Sequence, residues 1–507
     1  MIPLLITLLL GTAISMQMSR DPALEQIVMF RERNPNPIGM LTTSSGAPVS
    51  STDANSTLNT RLLFNEHFMD LMASFVRERI PLRIIHAKAA GGWGYFEVTH
   101  DITHVCRAKL FSKVGKRTKV AVRFSPAFQQ RGGNDLDRNL RGFSVKFYTE
   151  DGIFDIVGAN APVFCYKDPR LFTSFVHSQS KNPVTDIYDP NMIWDFLTLT
   201  PEALFMYLMA YFGDRGIPDG YRHMPGFGVH TYQVENVIRE AYFIRFHFTP
   251  DAGLKNLRSD EARRIQSRDP DYFTRDLYRA IGNGDYPSWT VSIQVLTLAQ
   301  VHECGSYVFD VTRILPVDKY PLWPVGKLVL NQNVVNYFLE TEQIAFNPAN
   351  LVPGILGGPD HLFEARRFAY KESQFYRLGV NYNKISVNCP FNTKVLTYNR
   401  NGRPPIGANG YDIPNYYPNS FNGPVPYLDN NSTTLIELIE GKANNYDQVT
   451  DYVNGLNDEE FNRLVGNILY SLRQAVKFIQ KRAVRELTFI SSELGRRIAQ
   501  GLLSDEY

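Results

Sequence analysis

Residues 77–102 read RERIPLRIIHAKAAGGWGYFEVTHDI, and this stretch decides how the whole chain is interpreted. Six shorter stretches follow it in a fixed order. They read VRFS at 122–125, RGF at 141–143, VKFYTEDG at 145–152, DRGIPDG at 214–220, PVGKLVLN at 324–331 and NYYPNSF at 415–421. Any interpretation of the fold has to account for all of them together.

These stretches closely resemble the corresponding segments of haem catalases. The resemblance runs in order from about residue 19 to the C-terminal helices. It implies an α+β protein whose core is an antiparallel eight-stranded β-barrel. Together with the composition along the chain, it predicts a division into five parts: a signal peptide at 1–18, an N-terminal arm at 19–70, a haem-binding β-barrel domain at 71–385, a wrapping segment at 386–455 and a C-terminal helical domain at 456–507.

The pattern of apolar residues points to the same fold. Alternation with a period of two, which is typical of half-buried strands, occurs at 120–124, 143–147, 242–248 and 291–295. Many such strands joined by Gly- and Pro-containing connections favour a closed antiparallel barrel. Between them, Pro201 is predicted to open a helix to about Phe212, with Thr200 as its cap. After Asn457, an acidic first turn and apolar residues at helical spacing predict a packing helix.

Composition excludes some classes of partner and permits others. The 53 basic and 51 acidic residues nearly balance, so nothing favours nucleic acid or a membrane surface as a partner. Aromatic residues make up 13% of the chain, which suits a large flat cofactor and equally suits a large β core. The four cysteines are Cys106, Cys165, Cys304 and Cys389. They are widely spaced and match neither a zinc-binding pattern nor a dense disulfide framework.

The N-terminus predicts secretion. Residues 2–14 form an apolar run with no charge before Arg20, and Ala13 and Ser15 offer a cleavage site. Glycosylation sequons begin at Asn55, Asn430 and Asn431. The last four residues, SDEY, do not form a Ser-Lys-Leu peroxisomal address. We therefore expect an extracellular glycoprotein.

Residues 366–370 read RRFAY and carry the expected iron ligand. In a helix, Arg366 and Tyr370 share one face, one turn apart. A nearby guanidinium lowers the pKa of a phenol, and tyrosinate is a strong ligand of ferric haem iron. The resemblance implies that Tyr370 is the metal ligand of haem b and that Arg366 is its charge partner. The two haem propionates need cations, which the resemblance places at Arg83, Arg123 and Arg377.

On the opposite side of the haem, peroxide cleavage needs a base that moves a proton between the two oxygens, and a neutral imidazole meets that need. The resemblance implies that His86 is this base and that Ser125 orients its ring. It assigns Phe164 and Phe172 to the apolar walls of the pocket.

One distal position departs from the family pattern. After Val157 and Gly158 the family has an asparagine that donates a hydrogen bond to peroxide, whereas this chain has Ala159. Asn160 is adjacent, but neighbouring side chains in an extended segment point to opposite faces. Loss of one preorganised donor typically costs about 10²–10³ in rate, so we expect reduced efficiency.

Further changes follow the expected path of peroxide and a second cofactor site. The family's channel aspartate corresponds to Asn139 and its channel valine to Ala127.

Many animal catalases also bind NADPH on the barrel surface. Here Arg215 is kept, but four other positions of that site carry unsuited residues: Phe205, Thr249, Leu315 and Val317. NADPH is therefore not expected. In the family that this chain resembles, the wrapping segment lies across neighbouring subunits, so the resemblance implies a homotetramer.

Three functions remain open from the sequence. The leading interpretation is haem-dependent decomposition of hydrogen peroxide with reduced efficiency. A peroxidase acting on organic donors or hydroperoxides is the second, because Ala159 and Ala127 make the pocket wider and less polar. The third is a catalytically weak extracellular haem-binding or matrix protein. Oxygen evolution and oxidation of a phenol separate them.

Overall fold

The computed structural model describes residues 21–55, 62–404, 410–427, 434–438, 441 and 443–504. The predicted signal peptide and the sequons at Asn430 and Asn431 lie outside the described residues. The chain forms two compact units, one ending at Glu78 and the other beginning at Arg79. The domain boundaries drawn from the sequence stay a prediction.

Ten strands form one sheet in the larger unit. They are β1 (Ala90–Val98), β2 (Arg117–Pro126), β3 (Arg141–Thr149), β4 (Gly152–Ala159), β5 (Gly226–Phe227), β6 (Tyr232–Glu235), β7 (Ala241–Pro250), β8 (Ser288–Thr297), β9 (Trp323–Asn333) and β10 (Ile355–Gly357). Their order is β10-β6-β7-β5-β4-β3-β2-β1-β9-β8, and pairing of β7 with β8 closes the ring. Every recorded pairing is antiparallel, and β6 and β10 extend the sheet beside β7. The predicted eight-stranded antiparallel barrel is therefore confirmed.

The described residues also form fourteen α-helices. They are α1 (Gln26–Arg33), α2 (Ser51–Asn55), α3 (Glu66–Phe75), α4 (Leu171–Ser178), α5 (Pro190–Leu199), α6 (Leu204–Met206), α7 (Ser259–Gln266), α8 (Tyr272–Gly282), α9 (Leu298–Cys304), α10 (His361–Leu378), α11 (Asp447–Asn454), α12 (Asp458–Leu472), α13 (Lys477–Ile490) and α14 (Ser492–Leu503). The first three belong to the smaller unit, where the side chain of Asn65 caps α3 by accepting from the Phe68 amide. Within the described residues, no helix combines the length and apolarity needed to span a bilayer.

Aromatic side chains fill the interior of the barrel. Phe124 and Phe143 are fully buried, and their rings meet edge to face with centroids 5.0 Å apart. Trp289 packs on both, with centroid distances of 5.5 Å to each ring. An eight-stranded barrel is narrow enough for side chains to fill, and these rings occupy its interior here. A functional site in this protein therefore has to lie on the outer face of the barrel, where the alternate residues of each strand point.

The helix predicted from Pro201 to Phe212 differs from expectation. It begins as a 3₁₀ turn at Pro201–Ala203, continues as α6 and ends as a π-helix at Tyr207–Phe212. Thr200 makes no side-chain cap, so that detail of the prediction is wrong. The last turn of a helix leaves carbonyl groups without a partner inside the helix. Here Arg138, from elsewhere in the chain, donates hydrogen bonds to the Tyr211 and Phe212 carbonyls.

The C-terminal helices follow the sequence pattern closely. Asn457 caps α12 in a capping box with Glu460. The apolar positions of the predicted face that are buried are Leu464, Ile468, Leu469, Leu472, Ala475 and Ile479. Two apolar positions of that face are not fully buried: Phe461 is partly buried, and Val476, which lies in the break between α12 and α13, is 45% exposed. Helix α11 lies within the stretch predicted as a wrapping segment, so that segment ends in regular structure.

Candidate active site beside the barrel

The floor of the site is a row of residues on the outer face of the barrel. Ser125 of β2 pairs with Gly142 of β3, and Gly142 pairs with Ala159 of β4. Paired residues of adjacent strands point to the same face and lie about 5 Å apart. Ala159 is therefore two strands away from Ser125, and Gly142 lies between them.

His86 lies over this row. Its Nδ1 is 3.0 Å from Ser125 Oγ, and its backbone amide donates to the Ala127 carbonyl at 2.7 Å. A Cβ on Gly142 would lie 3.1 Å from both Nδ1 and Cε1 of the ring, so the imidazole packs directly on the glycine. His86 has a φ of 63°, which is strained for a residue with a side chain. The fold therefore holds this histidine in a pose that its backbone would not adopt freely.

The environment keeps His86 neutral. Burial, and then the positive charge of Arg123, lowers its pKa from 6.5 to about 3. Both effects disfavour the imidazolium form. At neutral pH the ring therefore has one nitrogen available as a proton acceptor.

Helix α10 supplies the opposite wall. Arg366 and Tyr370 lie one turn apart, as predicted, and Arg366 Nη2 donates to Tyr370 Oη at 3.3 Å. The same nitrogen donates to the Val157 carbonyl at 2.7 Å, which ties the helix to β4. Burial opposes a charge on Arg366, but the neighbouring Tyr370, Tyr232 and Tyr166 together outweigh it, and the pKa of Arg366 is raised. The guanidinium therefore stays positive beside the phenol.

Behind Arg366 and Tyr370 lies a buried chain of hydrogen-bonded side chains that was not predicted from the sequence. Arg366 Nη1 lies 2.6 Å from His230 Nε2, and His230 Nδ1 lies 2.9 Å from an Asp360 carboxylate oxygen. Burial lowers the pKa of His230 despite the carboxylate, so the ring is neutral. Since Arg366 can only donate, Nε2 accepts and Nδ1–H donates to Asp360. Asp360 also caps α10, a position that a capping pattern could have indicated, whereas nothing local marks His230.

A cavity of about 380 Å³ separates the His86 wall from the Tyr370 wall. Its volume is typical of sites for cofactors and small molecules. The residues predicted for the site that line it are Arg83, His86, Arg123, Ser125, Phe164, Phe172, Arg366 and Tyr370. Arg377 is absent from this lining. It lies behind the wall, where it donates to Gln374 Oε1 at 3.2 Å and to Glu342 Oε1 at 3.0 Å.

A cluster of buried cations borders the cavity. Arg83, Arg123 and Arg377 share one nearby acid, Glu342, whose Oε1 is 3.5 Å from Arg83 Nη1 and 3.0 Å from Arg377 Nη2. Arg83 Nη1 is buried and makes no hydrogen bond among the described residues. Burial, followed by the charges of Arg123 and Arg377, lowers the pKa of Arg83 well below its usual value. Three buried cations facing one carboxylate lack negative charge, which an anionic ligand would provide.

The polar residues near Ala159 are engaged elsewhere. Ala159 lines the cavity and is 8% exposed. Asn160 accepts from the Arg141 amide at 3.0 Å and donates to the Arg215 carbonyl at 3.3 Å. Asn139 accepts from the amides of Ala127 and Phe128 at 3.0 and 3.1 Å. Neither amide side chain lines the cavity.

Comparison with known proteins supports a single family. The family model described as "Catalase" matches residues 42–423, and that described as "Catalase-related immune-responsive" matches 439–502. Catalase of Cavia porcellus is 47% identical over 500 residues, covering 96% of this chain and 94% of the relative. Catalase of Drosophila melanogaster is 45% identical over 496 residues, covering 95% of this chain and 98% of the relative.

Solved structures agree with the sequence comparison. A bacterial catalase structure superposes with a TM-score of 0.88 at 33% identity, covering 96% of this chain and 99% of that one. Catalase A from Saccharomyces cerevisiae superposes with a TM-score of 0.84 at 36% identity, covering 91% of this chain and 99% of that one.

Proposed function

Because this chain belongs to the catalase family, an oxidoreductase family, we propose that it decomposes hydrogen peroxide at a haem b held between Tyr370 and His86. The net reaction converts two molecules of hydrogen peroxide to two of water and one of oxygen. The observation that supports the proposal most strongly is the neutral His86 held over one wall of a cavity whose other wall carries the Arg366–Tyr370 pair.

The residues around the cavity fit a haem. Tyr370 Oη would be the iron ligand, and Arg366 Nη2 donates a hydrogen bond to it at 3.3 Å. Arg83 and Arg123 at the cavity, with Arg377 behind them, suit two propionates, because Arg83 Nη1 is buried and makes no hydrogen bond among the described residues. Phe164 and Phe172 supply apolar walls. When bound, haem would supply the redox chemistry of the reaction.

The proton transfer belongs to His86. When Nδ1–H donates to Ser125 Oγ, Nε2 is left as the acceptor. That nitrogen takes the proton of one peroxide oxygen and returns it to the other, so that water can leave. The packing of the ring on Gly142 keeps Nε2 in one place during this transfer.

We propose that turnover is less efficient than a site with an amide donor at position 159 would allow. Ala159 cannot donate a hydrogen bond from its side chain, and Asn160 and Asn139 use theirs on the backbone. A donor aimed at a reacting oxygen is worth about 10²–10³ in rate at oxyanion-type sites, and the same order serves here by analogy.

Oxygen evolution per bound haem tests this function. The purified protein is expected to release oxygen from hydrogen peroxide, and His86→Gln is expected to lose most of that activity while keeping its haem. The matched control is His302→Gln, since His302 is exposed and distant in sequence from the cavity residues. A haem-loaded protein that evolves no oxygen would contradict the proposal.

Assembly and location are part of the same proposal. We propose that the protein is a homotetramer. We also propose that it does not bind NADPH tightly, since Phe205 and Leu315 are buried apolar side chains at positions where phosphate or nicotinamide contacts would be needed. Light scattering and NADPH titration of the pure protein test both points. We also propose secretion through residues 1–18, which is tested by comparing protein in the medium for the full chain and for a chain lacking them.

A further inference from the structure

Two sulfur atoms meet at the wall of the cavity that separates His86 from Tyr370. Cys165 and Met206 both line this cavity, and the Cys165 thiol donates a weak hydrogen bond to Met206 Sδ across 3.1 Å. By surface exposure both side chains are buried, with 1% and 2% of their areas exposed. The cavity nevertheless gives a small molecule inside it access to both residues.

The elements on either side hold this pair in place. Met206 is the last residue of α6, and the π-helix from Tyr207 to Phe212 follows it directly. Cys165 follows Phe164, whose amide donates to the Val311 carbonyl at 2.7 Å. Both sulfur-bearing side chains belong to one apolar cluster of buried residues. The pair is therefore part of a packed apolar wall.

The two sulfur atoms differ in their reactivity toward a peroxide. A thiol reacts through its thiolate, and burial raises the pKa of Cys165 well above its usual range. Cys165 therefore stays a thiol at neutral pH. A thioether has no proton to lose, so its oxidation to a sulfoxide needs no such step. Peroxide in the cavity is therefore expected to oxidise Met206 and to leave Cys165 reduced.

We propose that Met206 is a modification site at which hydrogen peroxide forms methionine sulfoxide, with Cys165 as the hydrogen-bond donor to the new oxygen. The inference rests on the proposed function in one respect, because the cavity has to admit hydrogen peroxide. In the reaction the oxygen–oxygen bond of the peroxide breaks, and a bond forms between Sδ and one oxygen. The sulfur loses two electrons, and the other oxygen accepts them and leaves as water with both protons.

The position of Cys165 explains how an apolar wall tolerates a sulfoxide. A sulfoxide oxygen accepts hydrogen bonds, and a buried acceptor without a partner destabilises the folded state. The Cys165 thiol lies 3.1 Å from Sδ, so an oxygen bonded to that sulfur comes within reach of the same S–H group. The oxidised side chain therefore has a donor next to it.

Peptide mass spectrometry of the haem-loaded protein tests the inference. Hydrogen peroxide is supplied at a constant rate, and a gain of about 16 Da, the mass of one oxygen atom, is followed at each methionine. Met209 and Met224 are the internal controls, since both are buried and neither is among the residues that line the cavity. Met206 is expected to be oxidised at least about tenfold faster than either, because a packed methionine is reached only after local opening of the structure.

Cys165→Ala and Cys165→Ser test the donor, because serine keeps a hydrogen-bond donor and alanine removes it. The loss of melting temperature on oxidation is measured for each variant and for the parent. We expect that loss to be larger by about 2 °C in Cys165→Ala than in the parent or Cys165→Ser. Cys389→Ala is the matched control, since Cys389 is half-buried and is not among the cavity residues, and it is expected to behave as the parent does.

Two results would overturn the inference. One is a Met206 that gains oxygen no faster than Met209 and Met224, while an added reference peptide shows that peroxide oxidises methionine in the same solution. The other is an equal loss of melting temperature in Cys165→Ala and Cys165→Ser. The mass measurement on the parent needs no variant, so it decides the oxidation of Met206 even if Cys165→Ala does not fold. A haem-loaded protein that evolves no oxygen refutes the proposed function instead, and the mass measurement then still reports whether peroxide reaches Met206.

Discussion

Gly142→Ala offers the sharpest test of the geometry around His86. The added Cβ would lie 3.0 Å from Ser125 Oγ and 3.1 Å from Nδ1 and Cε1 of His86. Non-bonded contacts of this kind prefer about 3.5–4.0 Å. The ring or the hydroxyl therefore has to retreat by about half an ångström, and the 3.0 Å contact between them is disturbed.

The backbone itself should tolerate the change. Gly142 lies inside β3 and its φ is not positive, so alanine adopts its conformation without strain. A misplacement of 1 Å near the chemistry can cost about 10² in rate. Half of that displacement predicts a loss of about tenfold in oxygen evolution per haem, with haem content and melting temperature nearly unchanged.

Gly132→Ala is the matched control, because an added Cβ at Gly132 meets nothing within 4 Å. The measurement is initial oxygen release at several peroxide concentrations, scaled by haem absorbance. If Gly142→Ala kept the parent rate, packing of the imidazole on the glycine would have no role in positioning it. If the variant lost its haem instead, the row of residues would serve cofactor binding and not proton transfer.

Four further outcomes are expected. Ala159→Asn should raise oxygen evolution per haem by tenfold or more, since it restores a donor next to the His86 ring; an unchanged rate at equal haem occupancy would place the limiting step elsewhere. Because the pKa of His86 is lowered to about 3, the rate of the folded, haem-loaded protein should stay flat from pH 8 to pH 5, and a midpoint near 6.5 would contradict a buried neutral ring. Between pH 6.5 and about 3, His86 is protonated in the unfolded state but not in the folded state. The stability of the folded protein to denaturant should therefore fall as pH drops below 6.5. Arg83→Gln should weaken haem retention about tenfold or more, because a charge-assisted hydrogen bond is worth about 1.5–3 kcal/mol. The control Arg170→Gln, at an exposed position, should retain haem as the parent does. Haem retention is measured by the transfer of haem to apomyoglobin, and equal transfer from both variants would refute the propionate assignment.

Much of this site could be predicted because its signals are local. Arg366 and Tyr370 are four residues apart, and a helix places such residues on one face whatever surrounds them. The strands of the barrel were visible for a similar reason, since alternation of apolar residues reflects the period of the strand itself. The position of His86 and Ser125 came from resemblance, and the structure brings them to 3.0 Å.

The partners that lie far apart in sequence could not be predicted in this way. His230 joins Arg366 across 136 positions, and Glu342 joins Arg377 across 35, through contacts that no local pattern records. Arg377 was expected at the cavity, but its guanidinium is held behind the wall by Glu342 and Gln374.

The sequence by itself determined the family, the barrel strands and the absence of an amide at position 159. Only the tertiary structure decided that Gly142 is the surface on which the His86 ring packs and that Asn160 turns its amide to the backbone of Arg141 and Arg215. The reason is that periodicity and spacing report the conformation of one segment, whereas these contacts depend on the register between strands and on helices that pack over them.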